Sequence, residues 1–228
     1  MKKNNGQERE RLIALLGKNT GNGQFGIEEA SLSSHLFELD GLFARKGGLR
    51  RGKIVEWGAP RGHYGRLAPL AFLRGEDCPP VVWVYNHKDV TVYPPAWASL
   101  GIDLSHFFFV DCKRPLPDLR PLFLDPVFPI IVLDSPSKLS PGDWSFMAAK
   151  VRENGQILFV IRPFYLKSER GNPHAHWRIN SWFHSKEGVL CASPVKGSQH
   201  ETVKLELNHV RNKWQDKMQQ TSSLSAST

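Results

Sequence analysis

The chain has 228 residues, of which 40% are hydrophobic and 23% charged, enough apolar material to bury a core as one domain. Its formal net charge is +8 and its pI is near 9.5, a balance that favours anionic partners, nucleic acid foremost. Cys78, Cys112 and Cys191 are scattered, with no Cys-x-x-Cys pair. That argues against a disulfide framework and a zinc site, and the three read as small, mostly buried apolar residues.

Residues 1–26 read as a charged N-terminal arm and linker. The arm is expected to form a short charged helix with Leu12, Ile13, Leu15 and Leu16 along one side. Lys18 to Gly26 is rich in Gly and Asn and reads as a flexible linker. No segment has the core of a signal peptide or the length to span a bilayer, so the expectation is a cytoplasmic protein with no membrane contact. A helix over His35–Ala44 is expected behind a serine cap within Ser31–Ser34.

Residues 27–208 read as one α/β domain. Lys53–Trp57 is a predicted strand, followed by the glycines Gly58, Gly62 and Gly65 and a predicted helix over Leu67–Leu73. Pro69 is tolerable in that helix only within its first turn. Val81–Tyr85 is a second strand, apolar throughout, as a strand buried on both faces should be. Pro95–Leu100 starts a helix on proline. Phe107–Val110 is a third strand, Leu119–Leu124 helical, and Ile130–Leu133 a fourth strand ending in Asp134-Ser135. Asp143–Arg152 is a helix and Ile157–Ile161 a fifth strand. Such alternation implies a mostly parallel sheet flanked by helices. From Ala175 onward the pattern changes, and strands over Val189–Ala192 and Thr202–Leu207 imply an antiparallel edge extension. Residues 209–228 form a basic, polar tail that ends in Ser, Thr and Ala and is expected to be partly disordered.

Strand, glycine loop and helix in that order is the layout of a phosphate-binding loop. The chemistry differs. A working loop carries a Lys for the β/γ-phosphates and a Ser or Thr hydroxyl for Mg²⁺. Counting from Gly58 puts Tyr64 and Gly65 at those places, and counting on Gly65 puts Arg66 and Leu67 there. Neither register supplies the pair. Arg61, His63 and Arg66 remain as candidates for holding a phosphate at a helix N-terminus. The plainer reading is a tight strand-to-helix turn that needs glycine whatever it binds.

Gly-Gly-Leu-Arg-Arg-Gly-Lys-Ile-Val-Glu-Trp-Gly, residues 47–58, resembles the entry into the ATP-binding core of RecA. Ala98-Ser99-Leu100-Gly101-Ile102-Asp103-Leu104, followed by Phe107-Phe108-Phe109-Val110, resembles that core's Leu-Gly-Val-Asp-Leu segment and next strand. Ile130-Ile131-Val132-Leu133-Asp134-Ser135 resembles a Walker B strand. The likeness runs over roughly residues 40–185, in motif order rather than identity. Within the RecA-like group the chain is most similar to the ImuA family, through Val151–Pro163, Trp177-Arg178-Ile179, Leu205-Glu206-Leu207 and the basic Arg211-Asn212-Lys213; SulA is a more distant relative.

The resemblance implies a RecA-like core with a degraded phosphate loop. It implies an accessory factor of SOS-linked translesion synthesis whose partners are RecA and an inactive polymerase relative, ImuB. In that frame Asp134 stands where a Mg²⁺-holding acid would stand, or is a helix cap or turn acid. The water-activating Glu expected after the second strand is replaced by Tyr85-Asn86-His87-Lys88. The joint loss predicts a protein that is not an enzyme and has no cofactor, compatible with weak ATP binding without turnover. The rival readings are an active recombinase-like ATPase with Arg66 in place of Lys, and a SulA-like inhibitor of cell division.

Two further groups stand out. His174 and His176 have the His-x-His spacing of a strand metal site, but no matching ligand set accompanies them, so a surface loop is the reading. Trp177, Trp182 and Trp214, interleaved with Arg178, Lys186, Arg211 and Lys213, read either as a nucleic-acid stacking surface or as core residues beside a solvated face. Arg178, Arg211, Lys213, Trp214 and Lys217 are the candidates for a surface that meets a protein partner or single-stranded DNA. Arg162, just past the fifth strand, either faces an anion or points to solvent.

Overall fold

A computed structural model describes residues 31–43, 48–74, 78–90, 92–137, 139–169, 171–198 and 201–206. The arm, the linker and the basic tail, including Arg211, Lys213, Trp214 and Lys217, lie outside the described residues.

An eight-stranded mixed sheet organises the domain. Its strands are β3 (Lys53–Gly58), β4 (Val81–Tyr85), β5 (Phe107–Asp111), β6 (Ile130–Asp134), β7 (Ile157–Arg162), β8 (Trp177–His184), β9 (Val189–Lys196) and β10 (Val203–Glu206). They run across the sheet in the order β10-β9-β8-β3-β7-β6-β4-β5. From β5 through β8 every pairing is parallel. β9 is antiparallel to both β8 and β10, which makes the edge extension expected from sequence. A separate two-stranded ribbon joins β1 (Ser31–Leu32) to β2 (Leu49–Arg50).

The central strands are apolar at nearly every position because both faces of the sheet are covered. Successive side chains point to opposite faces, so each strand feeds two cores. One face carries Val55, Trp57, Trp83, Val132, Phe159 and Ile179 and packs with residues of α1 (Phe37–Gly41) and α2 (Leu67–Ala71). The other carries Ile54, Val82, Ile131, Leu133, Leu158 and Val160 and packs with residues of α4 (Pro115–Leu119), α5 (Pro121–Leu124) and α6 (Pro141–Glu153). Each such fully buried side chain contributes about 1.5–3 kcal/mol.

Most helix boundaries follow from local chemistry. Ser140 Oγ accepts from Asp143 N–H (3.1 Å), Asp143 Oδ2 accepts from Ser140 N–H (2.8 Å), and Pro141 takes the first turn of α6. This capping box starts the helix two residues before the predicted Asp143. Pro69 sits in the first turn of α2, where its missing N–H costs nothing. α3 (Pro94–Ala98) also begins on proline. The helix expected over Leu119–Leu124 is split into α4 and α5, because Pro121 opens a new first turn.

The N-terminal helix departs from expectation. α1 begins at Phe37 with Leu36 as its cap residue, and no side chain caps it. The serines turn instead on buried Asp40. Ser33 Oγ (2.6 Å), Ser34 N–H (2.7 Å) and Ser34 Oγ (2.8 Å) all donate to its carboxylate. The serine hydroxyl oxygens accept from His35 N–H (2.9 Å, Ser33) and Leu36 N–H (3.1 Å, Ser34), so they serve the turn before the helix and not its first N–H groups. Cys78 and Cys191 are buried and Cys112 is half-buried, and all three are free; burial pushes the Cys78 thiol up to about 12.

Candidate functional site

Six parallel strands end at one edge of the sheet, and their carboxyl ends gather Gly58, Tyr85, Asp111, Asp134, Arg162 and His184. β3 lies between β7 and β8. The chain leaves β3 toward β4 on one side and returns to β8 on the other, a change of direction that opens a crevice at such an edge.

The glycine loop leaves β3 here and is pressed against β8. A Cβ on Gly65 would lie 2.2 Å from the Ser181 carbonyl oxygen, and one on Gly58 2.2 Å from Asn180 Oδ1. Ser181 Oγ donates to the Gly65 carbonyl (2.7 Å) and accepts from Trp57 Nε1–H. Phe183 N–H donates to the His63 carbonyl (2.7 Å). Close backbone approach thus accounts for Gly58 and Gly65 without a ligand. Gly62 has φ +76°, and Tyr64 holds φ +51° without being glycine. Arg61 and His63 lie exposed on the turn, and the His63 ring meets Tyr165 edge-on at 6.1 Å.

Arg66, last residue of the loop, reaches the end of β6. Its Nε donates to Asp134 Oδ2 (3.0 Å) and Oδ1 (3.2 Å), and its Nη2 to Asp134 Oδ1 (2.8 Å) and Ser135 Oγ (3.1 Å). Ser135 Oγ donates to Asp134 Oδ1 (3.0 Å) from a residue at φ +53°. The Asp134 side chain is 0% exposed and that of Arg66 23%. The fork satisfies the carboxylate with the geometry at which guanidinium excels. The phosphate-loop cation and the Walker-B-like acid of the sequence reading therefore face each other.

The other candidates fall elsewhere. His87 holds Asp111 through both its backbone N–H (3.0 Å) and its ring. Those bonds, the backbone one foremost, hold the Asp111 carboxyl below the usual carboxylate range. Asn86 Nδ2 donates to Asp89 in the same turn. His174 and His176 precede β8 in a loop and take different partners: Ser145 Oγ at 3.4 Å and Lys53 Nζ at 3.1 Å. Among the described residues no group of three His, Cys, Asp or Glu has the arrangement to hold a metal ion.

Arg178, grouped from the sequence with a partner- or DNA-facing surface, lies inside the fold at 3% exposure. Its Nε donates to Glu56 Oε2 (2.9 Å), while Arg162 Nε donates to Glu56 Oε1 (3.0 Å). Neighbouring registers force this triad together: Glu56 pairs with Arg178 across β3–β8, and Gly58 with Arg162 across β3–β7. Trp177 is buried in the core, whereas Trp182 is half-buried and meets Tyr165 edge-on at 6.0 Å.

Beside the triad lies a cleft of about 550 Å³, bounded also by Pro136, Phe164, Tyr165, Lys167 and Asn172. Sequence reasoning missed it, because its walls come from three strands, the β7–β8 connection and the segment between β6 and α6. The available signal was a charged Glu56 flanked by the apolar Val55 and Trp57 within a strand, which demands buried cations nearby. No protein-family model matches the chain, and no curated protein matches it.

Proposed function

We propose that this chain is a non-hydrolytic RecA-like accessory protein of DNA-damage tolerance, similar to the ImuA family and acting through protein partners. The observation that carries the reading is the Arg66–Asp134 fork. In a hydrolytic site of this layout a Lys meets the phosphates, and the acid at the end of the β6-like strand helps hold Mg²⁺. Here the cation from the loop is spent on that acid. Binding Mg-nucleotide in the usual way requires breaking a bidentate pair whose acid is fully buried, with no Lys to replace Arg66 in the cradle. Gly58 and Gly65 of the loop pack on β8, and the residues after β4 pair within their own turn and with β5, so neither group is aimed at activating a water. The mixed sheet with its glycine loop at the carboxyl ends of parallel strands supports the RecA-like part of the reading, and the motif order supports the ImuA part.

The test has two arms. Purified chain is assayed for Mg-dependent ATP hydrolysis with and without single-stranded DNA; the expected result is no turnover above buffer. Turnover that vanishes in both Arg66→Ala and Asp134→Ala overturns the non-hydrolytic reading. In the second arm, tagged chain is recovered from DNA-damaged cells, with RecA or an inactive polymerase relative expected to come down with it. Recovery of a cytoskeletal GTPase in their place, with filamentation on overexpression, assigns the SulA-like role instead.

A further inference from the structure

We propose that the cleft beside the Glu56 triad is a binding site for an oxyanion, carboxylate or phosphate, carried on an aromatic body. The charge count comes first. Of the described residues that line the cleft, Arg162, Lys167 and Arg178 are cationic and Glu56 is the one anion. Both Glu56 oxygens are already engaged, one by each arginine.

The hydrogen-bond count agrees. Arg162 uses Nε on Glu56, and its Nη atoms have no hydrogen-bond acceptor among the described residues. Asn172 is only 9% exposed and lines the cleft. Its Oδ1 accepts from His174 N–H (3.0 Å), while its Nδ2 is buried with no partner. A buried amide N–H₂ without an acceptor costs about 1–3 kcal/mol, so such a group in a cleft wall marks a place for an acceptor. The backbone acceptor at Leu166 is taken by Asn180 Nδ2 (3.0 Å). The wall thus offers donors and little to accept, which suits an all-acceptor group over a nucleobase edge that mixes donors and acceptors.

The rim supplies the rest of the specificity. Phe164 and Tyr165 are large apolar side chains left 54% and 43% exposed, beside the donors rather than scattered. An aromatic ligand body would cover them while its anionic end reaches Arg162 and Asn172. The volume lies within the range of small-ligand sites, about 300–1,000 Å³.

The experiment uses the full chain and three probes: phenyl phosphate, phenylacetate and neutral benzyl alcohol. Binding is followed by calorimetry and by ligand-observed NMR. Saturable binding is expected for phenyl phosphate, phenylacetate or both, at least about tenfold tighter than for benzyl alcohol. Which anion binds identifies the source of the oxyanion. Asn172→Asp keeps the oxygen that accepts from His174 and replaces the free donor with an acceptor, so anion binding should fall by about tenfold or more. Lys167→Glu, at an exposed position that burdens folding little, should weaken the anions and leave benzyl alcohol unchanged. The proposal is overturned if no anionic probe saturates below about 10 mM, if benzyl alcohol binds as tightly as the anions, or if Asn172→Asp and Lys167→Glu both bind as the parent chain does. These measurements need neither ATP nor a protein partner, so their outcome is independent of the proposed function.

Discussion

Two buried carboxylates stand at the same edge of the sheet and meet their cations differently. Asp134, at the end of β6, has one guanidinium, delivered by a loop. Glu56, two residues before the end of β3, has two, delivered by the adjacent strands β7 and β8. The first arrangement balances acid against cation and closes over itself. The second sets Arg162, Arg178 and Lys167 against Glu56 alone among the described residues lining a cleft, with unengaged donors beside them. The position that the sequence advertises as a phosphate site is therefore self-paired, and the position it does not advertise is the one equipped for an anion. Strand-borne cations are also held by sheet register, whereas a loop-borne one is held mainly by its own ion pair.

That contrast is broken most directly at Glu56. Glu56→Gln removes the charge that two buried arginines share, and stability should fall by about 3–5 kcal/mol in urea denaturation. A much smaller loss would mean that solvent in the cleft already carries much of the charge. Arg66→Ala strands Asp134 with Ser135 as its one remaining side-chain donor. Its cost should be smaller, about 2–3 kcal/mol, because Arg66 is partly exposed and water can enter in its place. If Arg66→Ala proves the more damaging of the two, the loop-borne pair is the stronger anchor and the contrast is reversed.

The glycine loop sharpens the same comparison. Gly65→Ala drives a Cβ into the Ser181 backbone, which cannot rotate away, and should cost about 1–3 kcal/mol. Gly41→Ala, at the end of α1 with open space around it, should leave the chain as stable or raise stability by about 0.5–1 kcal/mol. Equal effects at the two positions would show that Gly65 serves backbone freedom or a ligand rather than close packing on β8.

The sheet was legible because its strands are buried on both faces. Val81–Tyr85 is continuous in apolar residues and forms β4 with those very ends. Lys53, Phe107, Ile130 and Ile157 each begin the strand expected of them. Helix ends were less legible where side chains had a competing use, as with Ser33 and Ser34 on Asp40. Within the candidate site, the glycine loop and Asp134 were visible as motifs, but their pairing was not. It joins residues 68 positions apart through a strand order that local pattern does not encode. Arg178 was misleading for the same reason. A charged residue in a stretch that mixes Trp and Ile with polar residues reads as surface until β8 is laid beside β3 and Glu56 draws it inside. The unpaired amide of Asn172 has no sequence signature.

The smallest predicted effect is a pH dependence at the opposite end of the strands. His176 precedes β8, where Lys53 at the start of β3 donates toward its Nε2. Loss of solvent around the ring, followed by the charges of Lys53, Lys196 and Arg152, pushes its pKa below the ordinary histidine value of 6.5. The folded chain therefore holds a neutral imidazole at pH values where the unfolded chain has begun to protonate its own. In that window the unfolded state binds more protons, so stability is fully present above about pH 6.5 and declines as the pH falls through it. The decline ends once the folded-state pKa is passed, because both states are then protonated. Urea midpoints measured from pH 7.5 down to pH 5 should drop less steeply in His176→Gln, which retains an acceptor for Lys53 and cannot titrate. Identical slopes for the two chains would place the sensitivity elsewhere, and a steeper slope in the variant would reverse the sign argued here.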